Sequence, residues 1–154
     1  GHLNSVPYAG ATGKTLRSWL VQAGFDENDL YERFYLTSMT KCFPGPSGTG
    51  KGDRAPSPAE VRHCRDHLDT EIALVRPEIV LAMGRLSATS FIGPAPLDQL
   101  VGTLHTVHRA GHTFPVVPLP HPSGVSHWLN RESNRFRLNE ALKLLAALRI
   151  EHNW

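Results

Sequence analysis

Two short, unbroken apolar runs constrain the fold of this chain more than any other feature: Ile79-Val80-Leu81-Ala82-Met83, and Phe114 through Leu119. Neither alternates apolar with polar residues, as a strand with one wet face does. Each reads as a strand covered on both faces, and such strands belong to a parallel sheet packed between layers of helices.

The second run leads into Pro120-His121-Pro122-Ser123-Gly124-Val125-Ser126. Ligands of open α/β sheets bind beyond the carboxyl ends of strands, and two prolines restrict the backbone on either side of this histidine. His121 is therefore a candidate active-site residue. The plainer reading is a rigid exit loop with an incidental histidine, and spacing alone leaves both open.

The rest of the chain supplies the covering layers. After a loop over the first ten residues, Thr15 to Ala23 places Leu16, Trp19, Leu20 and Ala23 on one helical face, with Gly24 as its stop. Phe34 to Met39 reads as a short strand. A Gly/Pro/Ser loop from Pro44 to Pro56 ends in a strong helix start: Ser57 as N-cap, Pro58 at the first position, Glu60 completing a capping box. Val61, Cys64, Leu68, Ile72 and Val75 continue at helical spacing until Pro77. Leu86 to Ile92 reads as a short helix and Val101 to His108 as a minor strand. From about Arg131 to Ile150, Phe136, Leu138, Leu142, Leu145 and Leu148 make an amphipathic terminal helix. The expected fold is a single α/β domain over residues 1–154, a three-layer α/β/α sandwich around a short central parallel sheet.

Composition narrows the function classes. With 154 residues, 40% apolar and 19% charged, the chain is an ordinary globular domain. No stretch approaches the ~18 consecutive apolar residues of a membrane span, and no signal peptide opens the chain, so a cytoplasmic protein is expected. A formal charge of +2 and nine histidines permit an anionic partner without requiring one. Cys42 and Cys64 are too few for a disulfide framework, and by pattern alone they read as small hydrophobes. The chain begins Gly1-His2-Leu3 without an initiator methionine, from either a removed tag or the later part of a longer protein.

Two glycine-rich stretches imitate phosphate loops. Gly45 to Lys51 fits the spacing, but Gly52 stands where a hydroxyl should hold magnesium, and Asp53-Arg54-Ala55-Pro56 postpones the helix. In the stretch ending Gly13-Lys14-Thr15, Tyr8 occupies the place of the first glycine. Lys14, Arg17, Lys41, Lys51 and Arg54 form either a basic rim or an ordinary solvated face.

Four stretches together resemble the uracil-DNA glycosylase superfamily, most closely its iron–sulfur group, often called the fourth family. Pro7-Tyr8-Ala9-Gly10-Ala11-Thr12-Gly13-Lys14 is similar to the family's Pro-aromatic-x-Gly-x-x-Gly segment. Tyr35 through Cys42 is similar to its strand ending in Lys-Cys before a proline-rich loop, and Ser57 through Cys64 to its Pro-x-Glu helix bearing another cysteine. His121-Pro122-Ser123 resembles the second catalytic motif. The likeness runs from about Pro7 into the terminal helix.

The resemblance implies excision of uracil, or a related damaged base, from DNA by a monomeric enzyme. His121 would donate to the departing base, Tyr8 would stack on the extruded nucleotide, and Ser38 would read the base edge. Lys41, Pro122, Ser123, Gly124 and Ser126 would lie against the DNA backbone, with Val125 as the wedge that fills the vacated stack. Cys42 and Cys64 would be two of four ligands to a [4Fe–4S] cluster. A non-catalytic relative that recognises DNA lesions without cutting is the alternative.

Three departures accompany the likeness. The family's opening strand, with its Gly-rich turn and water-positioning residue, should precede Tyr8, and so should two further cluster cysteines. This chain holds neither. The expectation is a C-terminal portion of a longer glycosylase that lacks the first strand. Third, Ser38 stands where the family usually has asparagine. An amide offers donor and acceptor together, whereas one rotatable hydroxyl satisfies either partner and discriminates poorly. Ser38→Asn is therefore expected to raise uracil excision.

Overall fold

The computed structural model describes residues 7–48, 53–124 and 126–154. Helix α1 (Ala11–Gln22) and the short α2 (Asp29–Glu32) precede an extended segment. Then come α3 (Pro58–His63), α4 (Arg65–Val75), β1 (Val80–Met83), α5 (Gly84–Ile92), α6 (Leu97–Leu100), β2 (His105–Arg109), β3 (His112–Leu119), a 3₁₀ turn at Trp128–Asn130, and α7 (Glu132–Glu151).

The sheet runs in the order β1-β3-β2. β1 lies parallel to β3, from Val80 opposite Val116 to Met83 opposite Leu119. Successive residues of β3 face opposite sides. Phe114 and Val116 enter a core with Leu68, Ile72, Ala82 and Ala88. Val117 and Leu119 enter the other core, with Leu16 and Leu20 of α1 and Leu138, Leu142 and Leu145 of α7. Helices thus cover both faces, as the unbroken apolar runs require. Two prolines survive in this central strand because each stands where one neighbour is absent: β1 has not begun opposite Pro115, and β2 has ended before Pro118.

Several expectations are corrected. The sheet is mixed, because β2 runs antiparallel to β3. Ala110 and Gly111 join them with positive φ of 52° and 71°, the backbone of a two-residue hairpin turn. The minor strand accordingly starts at His105, not Val101. Phe34 to Met39 is extended but is no strand: none of the described strands pairs with it, and a ladder needs a neighbour. The helix read from Pro58 to Val75 breaks at Cys64, whose half-buried thiol accepts the Lys41 N–H at 3.4 Å. The first helix begins at Ala11, four residues before Thr15. Phe136 is 64% exposed, since two residues of helix rotate it to the far side from Leu138. The Ser57–Glu60 capping box forms as read.

Candidate active site

His121 stands two residues past the end of β3, between Pro120 and Pro122, both buried. Its ring lies against Gly84, at the turn from β1 into α5. A Cβ on Gly84 would meet His121 Cβ at 3.4 Å and Cδ2 at 3.5 Å, and φ is +80° there, so glycine alone suits this turn. The ring's Nδ1 accepts the Ser123 backbone N–H at 3.3 Å and lies 2.8 Å from Ser123 Oγ. Burial lowers the His121 pKa. The imidazole is therefore neutral near pH 7. With Nδ1 accepting, its proton resides on Nε2, leaving one N–H donor free. The Ser126 N–H closes a turn on the Ser123 carbonyl at 3.0 Å.

A groove of about 1470 Å³ runs along this end of the sheet, between α1, the extended segment, α4 and α5. His121, Ser123, Gly124, Tyr8, Ser38, Lys41 and Cys42 all line it, so most of the sequence-derived candidates converge on one cavity. Pro122, Ser126 and Cys64 are not on its wall. Val125 lies outside the described residues.

Tyr8 is half-buried with φ of 60°, and burial raises its phenol pKa. Its carbonyl accepts the Tyr31 hydroxyl at 3.3 Å. A Cβ on Gly13 would lie 1.6 Å from that same carbonyl oxygen, so the close approach of α1 to the Tyr8 turn demands glycine. This gives Gly13 a steric reason unrelated to phosphate.

Opposite stands the segment Tyr35 to Cys42. Lys41 Nζ reaches Glu71 Oε2 at 2.6 Å, Thr37 Oγ1 at 2.6 Å and the Ser38 carbonyl at 3.2 Å. The Thr37 hydroxyl donates to the same Glu71 oxygen at 2.7 Å. Burial opposes ionisation of Glu71, but hydrogen bonds from Lys41, Thr37 and Tyr35 outweigh it and hold the carboxyl below its usual range. The Lys41 ammonium, expected to face DNA, is thus already engaged by Glu71. Glu71 and Gly84 were not singled out from sequence as site residues, though Gly84 carried a signal, directly after an apolar run; Gly13 falls in the glycine-rich segment that resembles the family's motif.

Cys42 is exposed, and the Lys41–Cys64 contact draws the two cysteine-bearing segments together. Two thiols are half of the set that a [4Fe–4S] cluster needs. Among the described residues no group of three or more metal-ligating side chains occurs, so these residues supply half of the cluster's ligands and no more. Between the cysteines, Arg54 ties the loop instead. Its guanidinium reaches Glu60 at 2.7 and 3.0 Å and the Pro44 carbonyl at 2.5 and 3.0 Å, and Pro46 bridges Asp53. No helix among the described residues is long and apolar enough to cross a membrane.

Comparison with known proteins places this geometry in context. Residues 1–146 match the family model described as the uracil DNA glycosylase superfamily. The chain is 29% identical over 128 residues to a type-4 uracil-DNA glycosylase of Archaeoglobus fulgidus, covering 80% of this chain and 59% of that protein. To the type-4 uracil-DNA glycosylase of Thermotoga maritima it is 25% identical over 131 residues, covering 85% and 61%. A DNA polymerase of Bacillus phage SP01 matches at 29% over 116 residues, 75% of this chain but 11% of the polymerase. The chain thus spans about three-fifths of the length of the two type-4 glycosylases.

Proposed function

The chain belongs to the uracil DNA glycosylase superfamily, and from that premise we propose that its groove receives a base extruded from DNA. The reaction is hydrolysis of the N-glycosidic bond of uracil or a related damaged base. The bond between the base nitrogen and C1′ breaks with its electron pair leaving on the base, water bonds to C1′ and gives up a proton, the departed base anion takes up a proton, and an abasic site remains.

The observation that carries this reading is the seat of His121, its ring against Gly84 and its Nδ1 engaged by Ser123. A base leaving as an anion needs a donor aimed at its developing charge, and a pre-oriented N–H supplies one without moving a proton. Ser123 fixes the ring through Nδ1 and leaves Nε2–H for the base. Tyr8 covers the base face. The turn from Ser123 to Ser126, with Gly124 inside it, rests on the backbone of the opened strand. A [4Fe–4S] cluster would take Cys42 and Cys64 as two of its four thiolates and would serve as a tie between their segments.

An excision assay on uracil-containing single- and double-stranded DNA tests the reading, with His121→Ala alongside. The variant is expected to lose about 10²–10³-fold in rate. The pH profile supplies a second check. A depressed histidine pKa keeps the neutral form dominant at and above 6.5, so activity falls on acidification through a value below 6.5. Stability linked to the same group has the same sign, present above 6.5 and lost toward acid. Lesion binding without abasic product, unchanged by His121→Ala, would favour a non-catalytic binder.

A further inference from the structure

The segment from Thr37 to Lys41 presents polar side chains along one wall of the groove, and the direction of their hydrogen bonds is forced. Carbonyl and carboxylate oxygens cannot donate, and an ammonium cannot accept. The Thr37 proton therefore goes to Glu71, the Ser38 proton to the Thr40 carbonyl at 2.5 Å, and the Thr40 proton to the Cys42 carbonyl at 3.3 Å. The three protons of Lys41 Nζ are matched by Thr37, the Ser38 carbonyl and Glu71. Every side-chain donor from Thr37 to Lys41 is spent inside the protein. The Ser38 hydroxyl is consequently no free rotor, which corrects the expectation that it could satisfy either kind of partner.

The geometry points to a wall that reads a base solely as a hydrogen-bond acceptor: Ser38 Oγ takes an N–H from the base edge, and no side chain there donates to a base carbonyl. This rests on the reading that the groove holds an extruded base, and it names the substrate class. Accepted bases present an N–H at that edge. Uracil qualifies through its ring N3–H, and so do the lactam purines hypoxanthine and xanthine. The C4 oxygen of uracil goes unread, so the exocyclic amine of cytosine is poorly rejected. Lys41 and Glu71 act as positioning residues, since their pairing consumes the donors that would otherwise face the base.

The test measures binding of the protein to single-stranded oligonucleotides whose central nucleotide has a non-cleavable 2′-fluoroarabino sugar. That nucleotide carries uracil, N3-methyluracil, 4-thiouracil or cytosine. Loss of one hydrogen bond is worth roughly tenfold in affinity. N3-methylation should therefore weaken binding about tenfold, while sulfur in place of the C4 oxygen should change it by less than about twofold. Ser38→Asn introduces a donor, so 4-thiouracil should then cost about tenfold and preference for uracil over cytosine should rise by a similar factor. In Ser38→Ala the methylation penalty should shrink. A wild-type protein that loses about tenfold on 4-thio substitution, or tolerates the N3-methyl group, overturns the acceptor wall while leaving the base-binding reading intact. Failure to bind the uracil strand more tightly than the same strand with a baseless residue at that position, together with no excision, overturns both.

Discussion

His121 and Ser38 face the same groove but are held there by different physics. His121 follows a run from Val116 to Pro120 in which every side chain is fully buried, so apolar packing and a strand ladder fix its place. Ser38 lies in a segment with no ladder bond, and polar ties hold it: Lys41 with Glu71 on one side, the Thr40 carbonyl on the other. Both partners of that ion pair are about one-quarter exposed. The proposed donor, His121, is therefore anchored by the core, and the proposed reader, Ser38, by charges that solvent and pH can reach.

The largest test of this contrast is Leu119→Ala, which removes a fully buried side chain beneath the His121 seat. It is expected to cost about 3–4 kcal/mol in urea unfolding. A cost below about 1 kcal/mol would mean that the seat does not depend on the core.

Glu71→Ala probes the other region. It leaves Lys41 and Thr37 without their acceptor, at a global cost of about 1–2 kcal/mol. Amide exchange should accelerate from Phe34 to Lys41, while Val116 to Leu119 should follow only the global loss. Equal loss of protection in both segments would erase the distinction.

The smallest effect concerns the loop between the cysteines. The Arg54 side chain, then the Ser57 backbone and hydroxyl, hold the Glu60 pKa down to about 2 from 4.5. With the folded value depressed, this tie is complete above 4.5 and is lost as pH falls toward 2. Carboxyl ¹³C titration should show Glu60 moving back toward 4.5 in Arg54→Ala. A normal titration in the wild-type chain would show that the loop is held some other way.

What was legible in the chain follows the same division. The two buried strands, the Ser57 capping box and the terminal helix announced themselves because each is encoded by neighbours in sequence: an apolar run, a cap and its partner, a repeat near 3.6 residues. Phe34 to Met39 has strand-like residues, but a strand is made by its neighbour. The antiparallel course of β2 hinged on a turn at Ala110-Gly111, a weaker hairpin signal than Asn-Gly. Glu71 is 30 residues from Lys41 and sits on a helix face where a carboxylate is unremarkable. Nothing local marked it as part of the groove.

The sequence by itself determined the covered α/β architecture, the Pro-bracketed His121 at a strand's carboxyl end and the family resemblance, because these rest on periodicity and on short motifs. Only the tertiary structure decided which nitrogen of His121 keeps its proton, that the Ser38 hydroxyl points its proton inward, and that Lys41 is paired with Glu71 before any ligand arrives. Those outcomes depend on the direction of hydrogen bonds, and a donor's direction is set by whichever acceptor the fold brings within 3 Å or so of it.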